Sequence, residues 1–156
     1  MEFKTNVMRI LDKMKLSYKS YSYVNTSAVS GLEIAQALGQ DPAHVFKTLV
    51  TVAKSKKHYV FVIPVAEELD LKKAALSVDE KAVEMIKSKE LLPVAGYVHG
   101  GCSPIGMKKP FVTRIDASAE GCETIIFSAG KVGYQVEMKP GDLQKVVPFA
   151  FAPLCA

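Results

Sequence analysis

The 156 residues are of ordinary length for one domain, and 49% apolar and 23% charged residues without a low-complexity tract exclude a disordered tail or fibrous repeat. A formal charge of +4 favours polyanionic partners by long-range attraction without identifying one. Three widely spaced cysteines, Cys102, Cys122 and Cys155, do not make a secreted disulfide framework. The opening residues lack an apolar signal core or a membrane-spanning run, so a cytoplasmic protein with no membrane contact is expected.

Phe3, Val7, Ile10, Leu11 and Met14 recur at helical steps and predict a first helix with one buried stripe. Tyr18, Tyr21 and Tyr23 sit in a short strand-like run. Ser30 with Glu33 is a capping-box pair and Gly39 a stop, predicting a helix over 31–38, and Asp41-Pro42 starts a further turn. Phe46 to Ala53 is β-branched and predicts a strand, with Lys47, Leu49, Thr51 and Ala53 on one face and Phe46, Thr48, Val50 and Val52 on the other. A lysine on a largely apolar face is unusual.

Ser55-Lys56-Lys57 is a turn into a returning strand, His58 to Pro64. Asp70 caps a helix from Leu71, Asp79 is placed to cap the segment after it, and Val83 and Met85 suggest a small strand. Ser88 opens a helical pattern that Pro93 is expected to close near Leu92. Strand patterns follow at Phe111 to Asp116, Glu123 to Ser128 and Tyr134 to Met138, with Gly130-Lys131-Val132-Gly133 as the turn between the last two. Pro140-Gly141-Asp142 starts a last helical turn, and the stretch from Pro148 onward gives no signal beyond its aromatic pair. The expected class is α+β: a mixed, largely antiparallel, barrel-like sheet flanked by short helices, in a single domain over 1–156.

Between Gly96 and Gly106, four glycines and Pro104 preclude a continuing helix or strand and suit a shaped loop whose amides are open to an acceptor. Known signatures fail there. Met107 stands where a phosphate-binding loop needs lysine, and Ile105 where a serine nucleophile elbow needs glycine. His99 and Cys102 have no second ligand pair, so no metal or other cofactor is expected. Cys102 as a nucleophile activated by His99 stays open beside a plain filler role.

Val45-Phe46-Lys47-Thr48-Leu49, Gly96-Tyr97 with Gly100 to Gly106, and Ser128-Ala129-Gly130-Lys131-Val132-Gly133 with Val136-Glu137 occur in an order and spacing that resembles the YbaK/EbsC proteins. That family is itself similar to the editing insertion domain of bacterial prolyl-tRNA synthetase. The resemblance implies a YbaK-like fold and a freestanding, trans-acting deacylase that removes mischarged amino acid, chiefly cysteine, from tRNA(Pro), with prolyl-tRNA synthetase as a candidate partner. It also implies that Lys47 and Gly100 carry the chemistry, and that Tyr21 (or Tyr23), Thr48, Gly101, Ser103, Ser128 and Gly130 contact substrate. In the family account the substrate thiol attacks its own carbonyl, so no protein nucleophile is needed. Family members commonly have an aliphatic residue where Cys102 stands. The competing expectations are a non-catalytic binding module for aminoacyl-tRNA, amino acid or nucleotide, and a thiol enzyme using Cys102.

Overall fold

The first helix starts where a hydroxyl can cap it. In the computed structural model, which describes residues 3–156, Thr5 Oγ1 accepts from the Met8 amide at 3.2 Å and α1 runs Asn6–Lys13. Val7, Met8 and Leu11 enter the core, whereas Phe3 and Met14, expected on the same stripe, stay exposed. Strand β1 (Lys19–Ser22) follows, then α2 (Gly31–Ala37), where both capping-box bonds between Ser30 and Glu33 form and Gly39 turns the chain at φ +67°.

Strands β2 (Phe46–Ala53) and β3 (His58–Pro64) form the expected hairpin, pairing Lys47 with Ile63 and Thr48 with Val62. Helix α3 (Leu71–Ser77) is capped by Asp70, and β4 (Val83–Met85) adds antiparallel to the end of β2. Asp79 caps nothing; it lies at φ +57° in the turn between them. Helix α4 (Ser88–Ala95) runs through Pro93 instead of stopping before it. Pro93 lacks only the bond to the Lys89 carbonyl, buried Leu91 and Ala95 hold both halves against the core, and Gly96 in the left-handed region makes the stop.

Strand β5 (Val112–Asp116) pairs parallel with β3, β6 (Ile125–Ser128) and β7 (Tyr134–Met138) form a second hairpin, and α5 (Pro140–Val146) leads to β8 (Phe149–Ala152). Sequence reading missed β8. It pairs parallel with β5, and the residues after it are strapped down: Leu154 donates its amide to the Asp116 carboxylate at 2.9 Å, Asp70 donates its own to the Leu154 carbonyl at 2.8 Å, and Leu69 bridges Cys155. Alternation cannot reveal a four-residue strand whose apolar residues include alanine at every second position.

Two sheets result, β1-β7-β6 and β4-β2-β3-β5-β8, the first antiparallel and the second mixed. The α+β class with short flanking helices holds. The barrel does not close: among the described residues the two sheets are bridged only by a parallel pair, Val45 with Ile126. Phe46, Val50, Val60 and Val62 of the large sheet share the main core with Phe127, Val136 and Met138 of the small one and with Val7 and Leu11 of α1. The opposite face packs Phe61 and Ile63 on α3. Among the described residues no helix is long and apolar enough to cross a membrane.

Candidate active site

The opening between the sheets follows from the hydrogen-bond parity of β2. The Ile86 amide donates to the Val50 carbonyl at 3.1 Å and that of Lys54 to the Ala82 carbonyl at 3.3 Å, so even-numbered main-chain groups of β2 face the edge away from β3. β4 covers that edge only from Thr51, and the β6 bridge touches it at Val45. Between these points the amide and carbonyl of Thr48 face a gap. A cavity of about 350 Å³ fills it, walled by Thr48, Leu49 and Val50 of β2, Met85 at the end of β4 and Ile86 after it, Leu91 of α4, His99, Gly100 and Cys102 of the glycine loop, Ser128, and Tyr134 and Gln135 of β7.

Of the expected site residues, the fold brings Thr48, Gly100 and Ser128 into this one wall from three distant stretches. Among the described residues Thr48 Oγ1, buried there, has no hydrogen-bond partner. An unmet buried hydroxyl costs about 1–3 kcal/mol, so its retention points to a group that meets it when bound. Ser128 Oγ accepts from the Gly130 amide at 3.1 Å, which holds the turn at the strand end. Tyr23, not Tyr21, lies in the wall. Tyr21 instead donates its hydroxyl to the Glu137 carboxylate of β7, whereas Tyr23 lies just beyond the end of β1.

Lys47 is not itself a wall residue. It is half-buried next to Thr48, on the same face as the wall residue Leu49, and its ammonium has no ion-pair or hydrogen-bond partner among the described residues. Gly101 and Ser103 are buried behind the loop and shape it: the Gly101 amide closes a turn onto the Val98 carbonyl at 3.0 Å, and Ser103 Oγ accepts from the Ile105 amide at 3.3 Å. The amides of Gly100 and Cys102 have no acceptor among the described residues and remain for a ligand. Gly130, at φ +88°, packs where a Cβ would meet Val7 Cγ2 at 2.9 Å and Tyr97 Cε1 at 3.1 Å.

Sequence reading quoted Tyr97 in a motif without giving it a role, and passed over Gln135. Tyr97 donates its hydroxyl to the Ile105 carbonyl and lays its ring on Gly130, locking the glycine loop to the β6–β7 turn. Gln135 is 5% exposed, and Gln40 Nε2 donates to its Oε1 at 2.8 Å. A polar residue at an inward strand position was the available signal for it.

Among the described residues no Asp, Glu, Lys or Arg lines the cavity; His99 does, and Cys102 is the only thiol there. Burial pushes that thiol up to about 12, so it stays protonated at neutral pH and is a poor nucleophile. Among the described residues no three His, Cys, Asp or Glu side chains are grouped to hold a metal ion. The cavity offers hydrogen-bond donors and apolar walls that can orient a small acyl group and stabilise an oxyanion, and its one candidate nucleophile beside a candidate base, Cys102 with His99, is weakened by the raised thiol.

A family model described as an aminoacyl-tRNA editing domain matches residues 27–146. A protein of Enterococcus faecalis, provisionally named the Cys-tRNA(Pro)/Cys-tRNA(Cys) deacylase EbsC, is 42% identical over 152 residues, covering 97% of this chain and 93% of its own. A proline–tRNA ligase of Shouchella clausii is 30% identical over 118 residues, 75% of this chain but 20% of the ligase. A crystal structure provisionally described as a trans-editing enzyme for prolyl tRNA synthetase superposes with TM-score 0.82 at 21% identity, covering 99% of both chains. That of a hypothetical protein superposes with TM-score 0.88 at 18% identity, over 97% of this chain and 100% of the other. At such identities these two speak for the fold alone.

Proposed function

The chain belongs to the aminoacyl-tRNA editing domain family, and from that premise we propose that it is a trans-acting deacylase removing mischarged amino acid, chiefly cysteine, from tRNA(Pro). The observation that carries the reading is the convergence of Thr48, Gly100 and Ser128 on one cavity whose buried Thr48 hydroxyl has no partner among the described residues. A cavity of about 350 Å³ suits an aminoacyl group with part of its ribose, and walls without a described Asp, Glu, Lys or Arg leave a charged side chain no ion-pair partner.

In this reading the unused amides of Gly100 and Cys102 receive the ester carbonyl oxygen as charge develops, each such donor being worth about 2.7–4 kcal/mol. Lys47 extends its unpartnered ammonium along the strand edge to the ribose or terminal phosphate and fixes the ester at the loop. The substrate thiol adds to its own carbonyl carbon. The S–C bond forms as the ester C–O bond breaks, the thiol proton passes to the departing ribose oxygen, and cysteine leaves as a small cyclic thioester that water opens. Tyr23 and Thr48 border the acyl group, Gly101, Ser103 and Gly130 hold the loops that face it, and Tyr21 acts through Glu137. The protein works as one cytoplasmic domain, without a cofactor, in company with prolyl-tRNA synthetase.

Time courses of amino-acid release from cysteinyl-, alanyl- and prolyl-tRNA(Pro) and from cysteinyl-tRNA(Cys) test this. The parent protein is expected to release cysteine. Lys47→Ala should lower kcat/KM by about a hundredfold, the scale of removing one positioned charge or donor, while Cys102→Ser stays active. Binding without release would favour a binding module, and dependence on Cys102 with indifference to Lys47 a thiol enzyme.

A further inference from the structure

Beside the cavity mouth lies an aromatic stack that the reaction does not use. The Phe3 ring stacks on Tyr134 with centroids 4.5 Å apart and 18° between planes. Lys131 Nζ lies 4.8 Å from the Phe3 centroid, and with Tyr134 on one face of that ring the ammonium covers the other. Tyr134 is also a wall of the cavity, so the stack is continuous with it. Lys131 has no ion-pair partner among the described residues, whereas nearby Lys4 is engaged by Asp12.

The stack is held across from the glycine loop. The Val132 main-chain nitrogen lies 3.1 Å from where a Cβ on Gly101 would sit, so the turn carrying Lys131 rests on the loop beside Gly100. Apolar side chains near the stack are left in water: Phe3, on Tyr134, is 48% exposed and Val132, on the glycine loop, 52%, while Val29 of the cavity wall is 81% exposed. Solitary exposed apolar residues need no explanation, but an exposed ring stacked on a cavity wall marks a contact surface.

We infer that Phe3, Tyr134 and Lys131 form a platform for the unpaired 3′-terminal bases of the tRNA, the nucleotides adjoining the ester in the cavity. The inference rests on the deacylase reading and names how that substrate is held. Flat apolar rings with a cation are what single-stranded nucleic acid requires: a base takes the place of the Lys131 ammonium on the face of Phe3 away from Tyr134, and the displaced ammonium pairs with the neighbouring phosphate. Acidic peptides would be drawn by the charge but gain nothing from the stacked rings.

Steady-state release from cysteinyl-tRNA(Pro) tests the platform. Phe3→Ala should raise KM about tenfold with kcat within about twofold, while Phe3→Trp keeps the parent KM. Lys131→Met should raise KM and reduce the slope of log(kcat/KM) against log salt by about 0.7, the loss of one phosphate contact. The sequence has no tryptophan, so Phe3→Trp also supplies a single fluorescent reporter, which the trinucleotide CCA should quench and its abasic counterpart should not. An unchanged KM in Phe3→Ala, a fall in kcat and melting temperature with unchanged KM, or an unquenched indole would overturn the platform. Absence of cysteine release by the parent would sink the deacylase reading instead, and the trinucleotide titration would still decide on base stacking.

Discussion

Thr48 presents a test that separates function from folding. Its hydroxyl is buried and has no partner among the described residues, so Thr48→Val removes an unmet polar group at nearly constant shape and is expected to leave stability unchanged or raise it by about 1 kcal/mol. If that hydroxyl meets the bound substrate, kcat/KM falls about tenfold in the same variant, the scale of one hydrogen bond. Thermal melting and release assays on one preparation read both. Gly130 behaves oppositely. Gly130→Ala forces a side chain into φ +88° and against Val7 and Tyr97, and should cost about 2–3 kcal/mol in urea unfolding, whereas Gly121→Ala, with open space around its Cβ, should stay within about 0.5 kcal/mol. Tyr97 explains why only part of this was legible from sequence. The glycine loop and the Ser128 turn announce themselves by composition, but the ring that couples them, eight residues from the carbonyl it binds, follows no periodic rule.

At the level of elements, β2 carries the most information. Its bounds and its two faces were readable from β-branched alternation, and Lys47 stood out as the charge on an apolar face. The open edge was not readable, because it depends on how far β4 and β6 reach along β2, a fact of register between segments more than 30 residues apart in the β4 case. Parity makes the edge testable. The amides of Lys47 and Leu49, directed at β3, should exchange hydrogen slowly, and that of Thr48, directed at the cavity, faster than either. β1 and β6 are tied through Glu137, which takes hydrogen bonds from Tyr21 and Thr124. Burial alone would raise its carboxyl, but those two bonds and the charges of Lys19 and His44 outweigh burial and hold it below its ordinary 4.5. Because its folded value is lowered, it stabilises the protein fully above the unfolded value and loses that contribution as pH falls through the folded one. The urea midpoint of the parent should therefore drop below about pH 4.5, with a shallower fall in Glu137→Gln.

Over the whole molecule, the main division is between the small antiparallel sheet, in which the local β6–β7 hairpin takes β1 from near the start of the chain, and the large one, which gathers β3, β5 and β8 in parallel from residues 58 to 152. The class and most hairpins could be read from local patterns; the parallel additions could not, since nothing in Phe149-Ala150-Phe151-Ala152 states which edge it joins. That last pairing governs how the protein is made. A nascent chain that has reached only Pro148 presents β5 as an uncovered edge and leaves vacant the slot that Leu154 fills, so during translation it is a substrate for chaperones and an invitation to intermolecular pairing. Ribosome-bound intermediates stalled before and after residues 149–155 have emerged should differ sharply in protease resistance, the shorter being cut within the large sheet while the β6–β7 hairpin, already complete, is cut last.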